Sequence, residues 1–211
     1  MTVTAREEIL RRINVALAGA TAQPVPRAYR VAGELDRDGR VALFRRRVED
    51  YGGVVLESAA PGETIAAVLA ERGARRIGVS PDLDEALLPV GVEVVADDRL
   101  TPRQLDALDG ALTTCAAACA ETGTIALDGG PGQGRRALTL VPDLHVCVVR
   151  RDDVVETVPE LFARLEASAR AGRPIVLVSG PSATSDIELT RVEGVHGPRR
   201  LVVVLVDRPP A

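Results

Sequence analysis

From about Arg40 to Val206, short apolar runs alternate with amphipathic segments, and few folds accept that rhythm. Val54-Val55-Leu56, Arg76 to Ser80, Val92 to Val95 and Leu144 to Val149 read as strands. Between them lie helical stretches near Gly39 to Tyr51 (closed by Gly52-Gly53), Pro61 to Arg72, a short one at Asp82 to Leu88, one opened by Thr101-Pro102, and Thr157 to Arg170. Strands separated by helices predict an α/β fold with a mostly parallel central sheet wrapped by helices, because a parallel pair needs a crossover connection. Two very apolar runs, Ile175 to Ser179 and Leu201 to Val206, read as central strands, since strands buried on both faces lose alternation.

The middle of the chain breaks the rhythm. Ala111 to Cys119 and Glu121 to Leu127 are two extended segments with no room for a crossover helix, which predicts a short antiparallel insertion. A glycine-rich loop, Asp128 to Gly134, and a short helix near Arg135 to Leu140 follow. At the amino end, Thr4 and Glu7 form a capping box for a helix to Leu17, with Ile9, Leu10, Ile13 and Leu17 on one face. We expect residues 1–30 to be an N-terminal helix and linker, residues 31–211 the α/β domain, and the helix to pack on its own chain.

Composition excludes several classes. The net charge is −4, all 26 basic residues are arginines, and aromatics make up 2% of the chain, so neither a basic footprint nor base-stacking residues point to nucleic acid. No run approaches the ~20 apolar residues of a membrane span, and the charged N-terminus has no apolar signal core; a cytoplasmic protein is expected. Three cysteines, an odd number without a clustered ligand run, fit reduced thiols; no iron–sulfur cluster or other cofactor is expected in the chain.

Four loops hold candidate chemistry. In Gly180-Pro181-Ser182-Ala183-Thr184-Ser185-Asp186-Ile187-Glu188 an apolar strand enters a Gly-Pro turn and then a helix, with Ser182 and Thr184 as the donors of choice. Ser185 and Glu188 equally suit a helix capping box, and Asp186 suits the first turn. These acids oppose a plain phosphate cradle; a hydroxyl, a thioester-like carbonyl or a cation fits better. Asp186, Glu188 and Glu193 are the acids a metal would use, though no metal site is assigned.

Glu121-Thr122-Gly123-Thr124 offers a carboxylate, two hydroxyls and a glycine that lets backbone approach a ligand, or else an ordinary turn into a strand. Gly129 to Gly134 followed by Arg135 and Arg136 is neither a Walker A loop nor a dinucleotide fingerprint. It reads as an exposed loop with two solvated arginines, or as an anion clamp. Glu193 and His196 are a carboxylate–imidazole pair for proton transfer, since Gly194, Gly197 and Pro198 break any helix that would make Glu-x-x-His an iron motif. His145 reads as a core or edge histidine, and Cys115 and Cys119 as small core residues on one strand face. No Gly-x-Ser-x-Gly elbow occurs.

The Glu121 to Thr124 segment, Arg136 to His145, Gly180 to Glu188 and Val192 to Pro198, in that order, closely resemble the lactate utilization protein C family (the LUD domain). The resemblance runs from the first helix to the final strand. It implies a fold similar to the sugar-phosphate isomerase and CoA-transferase superfamily. It also implies a role in oxidising L-lactate to pyruvate beside iron–sulfur oxidoreductase subunits, with this chain as the component lacking cysteine motifs. Glutamate is the nucleophile in CoA-transferases of the similar fold, and Glu121 is the nearest counterpart by setting, in a different local motif.

Three readings stand at this point: an accessory subunit of a lactate-oxidising complex, a free-standing transferase or isomerase for a small carboxylate or acyl thioester, and a regulatory binding module. Under the first two, Glu121, Glu193 and His196 carry the chemistry. The ligand, a small organic acid, is held by Thr122, Gly123, Thr124, Arg135, Arg136, Gly180, Pro181, Ser182, Ala183, Thr184 and Asp186. The three polar turns are expected to converge on one pocket.

Overall fold

Two seven-residue stretches rich in valine and leucine become neighbouring strands at the centre of the fold. The computed structural model describes residues 4–21, 23–185, 191–193 and 197–207, with backbone alone at 183–185 and 191–193. In it Leu144–Arg150 (β7) and Arg200–Val206 (β12) pair in parallel along their full length. Around them lie Val54–Glu57 (β1), Arg76–Val79 (β2), Glu93–Ala96 (β3) and Gly110–Thr113 (β4), giving a six-stranded sheet of order β1-β12-β7-β4-β2-β3. Every pairing in it is parallel, as the alternation predicts.

Helix Pro61–Glu71 (α3) covers one face. Its Ile65, Val68 and Leu69 pack against Leu112, Val146, Val148, Val202 and Val204. On the other face, helix Arg37–Asp50 (α2) contributes Val41, Phe44 and Val48, packed with Cys147, Val149, Val203 and Leu205. A second sheet shares that layer. It is built from Ala117–Cys119 (β5), Thr124–Leu127 (β6), Val154–Val155 (β8) and Val176–Val178 (β9), in the order β8-β5-β6-β9. Here β5/β6 and β6/β9 are antiparallel and β5/β8 parallel. Helix Val158–Arg170 (α5) closes its outer face through Leu161 and Leu165. Each fully buried aliphatic side chain in these layers contributes ~1.5–3 kcal/mol of transfer free energy.

Several expectations need correction. Ala111 to Cys119 is not one strand: it breaks at Thr114–Ala116, so β4 belongs to the central sheet and β5 to the second. Cys115 therefore lies in the link between the sheets while Cys119 is inside β5. The Ile175 to Ser179 run is not central. It forms β9, a half-buried edge strand, because apolar content alone cannot tell which sheet a short run joins.

The Gly-Pro turn does not lead directly into a helix. Ala183–Ser185 (β10) pairs antiparallel with Arg191–Glu193 (β11), and Asp186, Ile187 and Glu188 lie outside the described residues. The Asp82 to Leu88 helix narrows to a 3₁₀ turn at Glu85–Leu87.

The N-terminal helix Ala5–Leu17 (α1) has its predicted capping box, with Glu7 N–H donating to Thr4 Oγ1. It does not pack on its own chain: none of its residues is buried, and Ile9 and Leu17 stand about 60% exposed. The connection is fastened further on, where the buried Glu156 carboxylate accepts hydrogen bonds from Glu34 N–H, Leu35 N–H and Arg30 Nη1. Those donors, led by the Leu35 amide, hold the Glu156 carboxyl below its usual value.

Candidate functional site

Parallel sheets present ligand sites beyond the carboxyl ends of their strands, where successive turns leave a crevice. A cleft of about 420 Å³ occupies that position here. Its walls come from Val148 and Arg150 at the end of β7, Val206 at the end of β12, and Thr114 and Cys115 just past β4. The glycine-rich loop closes it with Gly130, Pro131 and Gln133. That loop is held in shape by its neighbours: Thr114 Oγ1 donates to Pro131 O at 2.7 Å, and Gln133 Oε1 accepts from Asp128 N–H at 2.7 Å. At Gly132, φ is +71° and an added Cβ would stand 2.9 Å from Thr114 Oγ1, so only glycine lets the loop lie this close.

Two ion pairs border the cleft. Arg150 Nε donates to Asp153 Oδ2 at 2.6 Å, and Arg173 Nη2 to Asp128 Oδ2 at 3.0 Å. Burial alone would raise the Asp128 carboxyl. Hydrogen bonds from Ser168 Oγ and Gly130 N–H, with the Arg173 charge, instead hold it below the usual carboxylate value. Asp128 is therefore an anion matched to Arg173. Arg150 is about half exposed, and among the described residues no hydrogen bond occupies its two terminal nitrogens. The Cys115 thiol, by contrast, is pushed well above its usual value by neighbouring Cys147 and by burial, so it stays protonated. The cleft thus carries charges of both signs, Asp84, Asp128 and Asp153 with Arg150 and Arg173. The terminal nitrogens of Arg150 are where it can offer a guanidinium fork to an anionic group; it is not equipped to attack with a thiolate.

Composition hid most of these residues. Thr114, Arg150, Asp153 and Arg173 belong to no motif, and Asp128 was legible only as the first residue of the glycine-rich loop. Thr114, Asp128 and Arg150 share a position at the ends of apolar strands, whereas Arg173 follows helix α5.

A second cavity, of about 260 Å³, lies toward the opposite, amino-terminal end of the central strands, roughly 10–17 Å away along β7. His145 and Leu201, near the starts of β7 and β12, form its floor, and Ser179, Gly180, Pro181 and Ser182 part of its wall. Ser182 N–H donates to Pro198 O at 2.8 Å, closing the loop. Gly180 sits at φ +90° against Tyr51, where a Cβ would come within 2.5 Å.

The Glu121 turn does not line this cavity and is tied to it only through the hydroxyl of Thr124, bonded to Ser179. Thr122 Oγ1, Thr124 Oγ1 and Ser179 Oγ form a chain with 2.6 Å links. The Glu121 carboxylate pairs instead with Arg30, and its N–H donates to Glu156 O. Gly123 does permit a close approach, but to α2: at φ +60° an added Cβ would stand 2.8 Å from Arg47 Cβ. Arg135 is committed to the buried Asp97 carboxylate by two 2.7 Å bonds, and the exposed Arg136 opens a 3₁₀ turn, Arg136–Thr139, whose Leu138 and Thr139 are buried. Neither arginine is among the residues lining the charged cleft. Ala183 and Thr184 are in β10, where Ala183 stands opposite Glu193 of β11. Asp186 and His196 lie outside the described residues.

The family model described as LUD domain matches residues 41–206. Lactate utilization protein C of Deinococcus radiodurans is 46% identical over 97% of this chain and 97% of its own length. Lactate utilization protein C of Bacillus pumilus is 40% identical over 42% of this chain and 38% of its own. The crystal structure of a DUF162 family protein from Deinococcus radiodurans aligns with TM-score 0.69 and 42% identity, covering 82% of this chain and 99% of that one.

Proposed function

The chain belongs to the LUD domain family, and from that membership we propose that it serves lactate utilization as the non-iron–sulfur component of a system oxidising L-lactate to pyruvate. The observation that carries this reading is identity of 46% along essentially the whole length of a lactate utilization protein C. The chain has three cysteines, too few for a four-thiolate cluster, so electron transfer is assigned to iron–sulfur oxidoreductase partners and no cofactor to this chain. Its own contribution is to bind the organic acid. The carboxylate meets the terminal nitrogens of Arg150 at the carboxyl end of β7, and the glycine-rich loop closes over the remainder.

Arg150→Gln separates this reading from a structural one, because Asp153 keeps a second guanidinium, Arg164, at 3.7 Å. The variant should unfold at the wild-type denaturant midpoint and bind L-lactate or pyruvate at least tenfold more weakly in calorimetry. It should also fail to restore growth on L-lactate to a strain lacking the gene. Full growth with unchanged affinity would remove Arg150 from the site. Failure of the wild-type chain to support L-lactate growth, or to co-purify with iron–sulfur subunits, would overturn the functional assignment itself.

A further inference from the structure

The charged cleft is larger than the acid so far placed in it. At about 420 Å³ it falls in the range that encloses drug-sized molecules, roughly 300–1,000 Å³. Even if each heavy atom of L-lactate took up the ~30 Å³ of one liquid water, the acid would fill less than half of it. The polar groups of the cleft divide into those already matched and those not. Asp153 is matched to Arg150, and Asp128 to Arg173. Three groups keep unused capacity among the described residues: the terminal nitrogens of Arg150, the side-chain amide of Gln133 and the carboxylate of Asp84.

Gln133 is only 4% exposed, and the orientation of its amide is fixed. Asp128 N–H can point only to an acceptor, so the atom it meets at 2.7 Å is Oε1 and the other terminus is the NH₂ group. Neither hydrogen of that group has an acceptor among the described residues. The sealed and unpartnered side-chain atoms there are Arg40 Nε, Arg72 Nε and His145 Nδ1; Gln133 Nε2 is not one of them, so a cavity reaches it. Gln133 borders two cavities, the cleft and a smaller one of about 90 Å³. Its Nε2 stands beside Gly130, where an added Cβ would lie 3.1 Å from it and 2.9 Å from Asp128 Oδ1. Gly130 and Asp128 both line the cleft, and neither lines the smaller cavity. The two N–H donors therefore serve the cleft.

Asp84 supplies the complementary group. Its Oδ1 accepts from Ala86 N–H at 2.9 Å and caps a 3₁₀ turn, which leaves Oδ2 as an acceptor. An anion fork, a pair of N–H donors and a carboxylate acceptor around one cleft suit an acid whose other groups both accept and donate. Hydroxyls do both. An ammonium would satisfy Asp84 but give nothing to the Gln133 donors, and a plain alkyl chain would serve neither.

Resting on the reading that Arg150 meets a carboxylate, we propose that the full ligand of the cleft is a polyhydroxylated acid longer than lactate. Its further hydroxyls accept from Gln133 Nε2 and donate to Asp84 Oδ2, and L-lactate fills only the Arg150 end.

Calorimetry on the full chain tests this by comparing D-gluconate with L-lactate, hexanoate and 6-aminohexanoate. Gluconate should bind at least tenfold more tightly than each of the other three. Gln133→Glu keeps an oxygen for the Asp128 N–H and removes only the N–H donors; it should weaken gluconate at least tenfold, and Asp84→Ala at least threefold. The wild type gives a reading that needs no variant, since the chain has three glutamines and their side-chain amides are resolved by proton–nitrogen NMR. The Gln133 amide pair, assigned through its own backbone, should shift with gluconate and stay in place with hexanoate. The proposal fails if any of the three comparison acids binds as tightly as gluconate, or if gluconate binds without moving the Gln133 amide. It fails equally if either variant, unfolding at the wild-type denaturant midpoint, binds gluconate unchanged. If no acid binds at all, the Arg150 reading falls first and the proposal with it.

Discussion

His145 and Arg135 show how burial decides what an ionisable side chain can do. Burial lowers the His145 pKa from 6.5 to about 4. Between those two values the unfolded chain binds more protons than the folded one, so stability is at its full value above about pH 6.5 and falls as the pH drops toward 4. The loss over that window is on the order of 3 kcal/mol. Urea midpoints measured from pH 7 to pH 4 should therefore fall less steeply for His145→Gln than for the wild type; parallel curves would mean that the ring is protonated inside the fold. Arg135 presents the opposite case. Its partner Asp97 is buried and also accepts from Leu100 N–H at 3.1 Å, so removing the arginine strands a carboxylate. Arg135→Ala should cost about 2–3 kcal/mol in urea unfolding, less than a fully buried pair because the guanidinium is partly exposed. Arg135→Leu combined with Asp97→Leu should recover much of that loss. A silent Arg135→Ala would return the arginine to the anion-clamp reading.

At the scale of elements, the strands and helices were legible wherever local chemistry sufficed. Caps at Thr4, Thr101 and Thr157 are all capping boxes in the structure, the Leu201 to Val206 run that became β12 is apolar enough to announce burial on both faces, and Leu144 to Val149 read as a strand without that distinction. What the residues could not say is which sheet a short run would join. Val176–Val178 is as apolar as a central strand and lies at an edge, and the break at Thr114–Ala116 carries no proline or glycine to mark it. The candidate site suffered likewise: Gly123 was visible as a place of close approach, but whether ligand or helix approaches is a tertiary matter. Helix α1 is the sharpest instance, with an amphipathic face that is covered by nothing among the described residues. Ile9→Asn together with Ile13→Asn should leave stability within about 0.5 kcal/mol of wild type, the range for exposed positions, whereas Leu161→Ala in α5 should cost ~2–5 kcal/mol. A fall of several degrees in the melting temperature of the double variant would mean that α1 packs on the domain in solution.

Over the whole molecule, the two sheets are not separable modules. Val41 and Phe44 of α2, Ala118 and Ile125 of the second sheet, and Val203 and Leu205 of the central sheet belong to one buried cluster. The charged cleft is shared in the same way, since Asp128 follows β6 of the second sheet while Arg150 ends β7 of the central one. A cleft assembled across both sheets keeps its shape only if they form and open together. Loosening of the second sheet alone would separate the Arg173–Asp128 pair from Arg150. Native-state hydrogen exchange in rising denaturant should therefore show the amides of Ile125 and Ala126 in β6 merging into the same opening as those of Val203 and Leu205 in β12, because a shared core couples their free energies. If β6 instead exchanged through a separate opening at lower denaturant, the second sheet would be an independent cooperative unit. The cleft would then open and close by its detachment, and ligand binding, by stabilising the closed arrangement, should selectively protect β6.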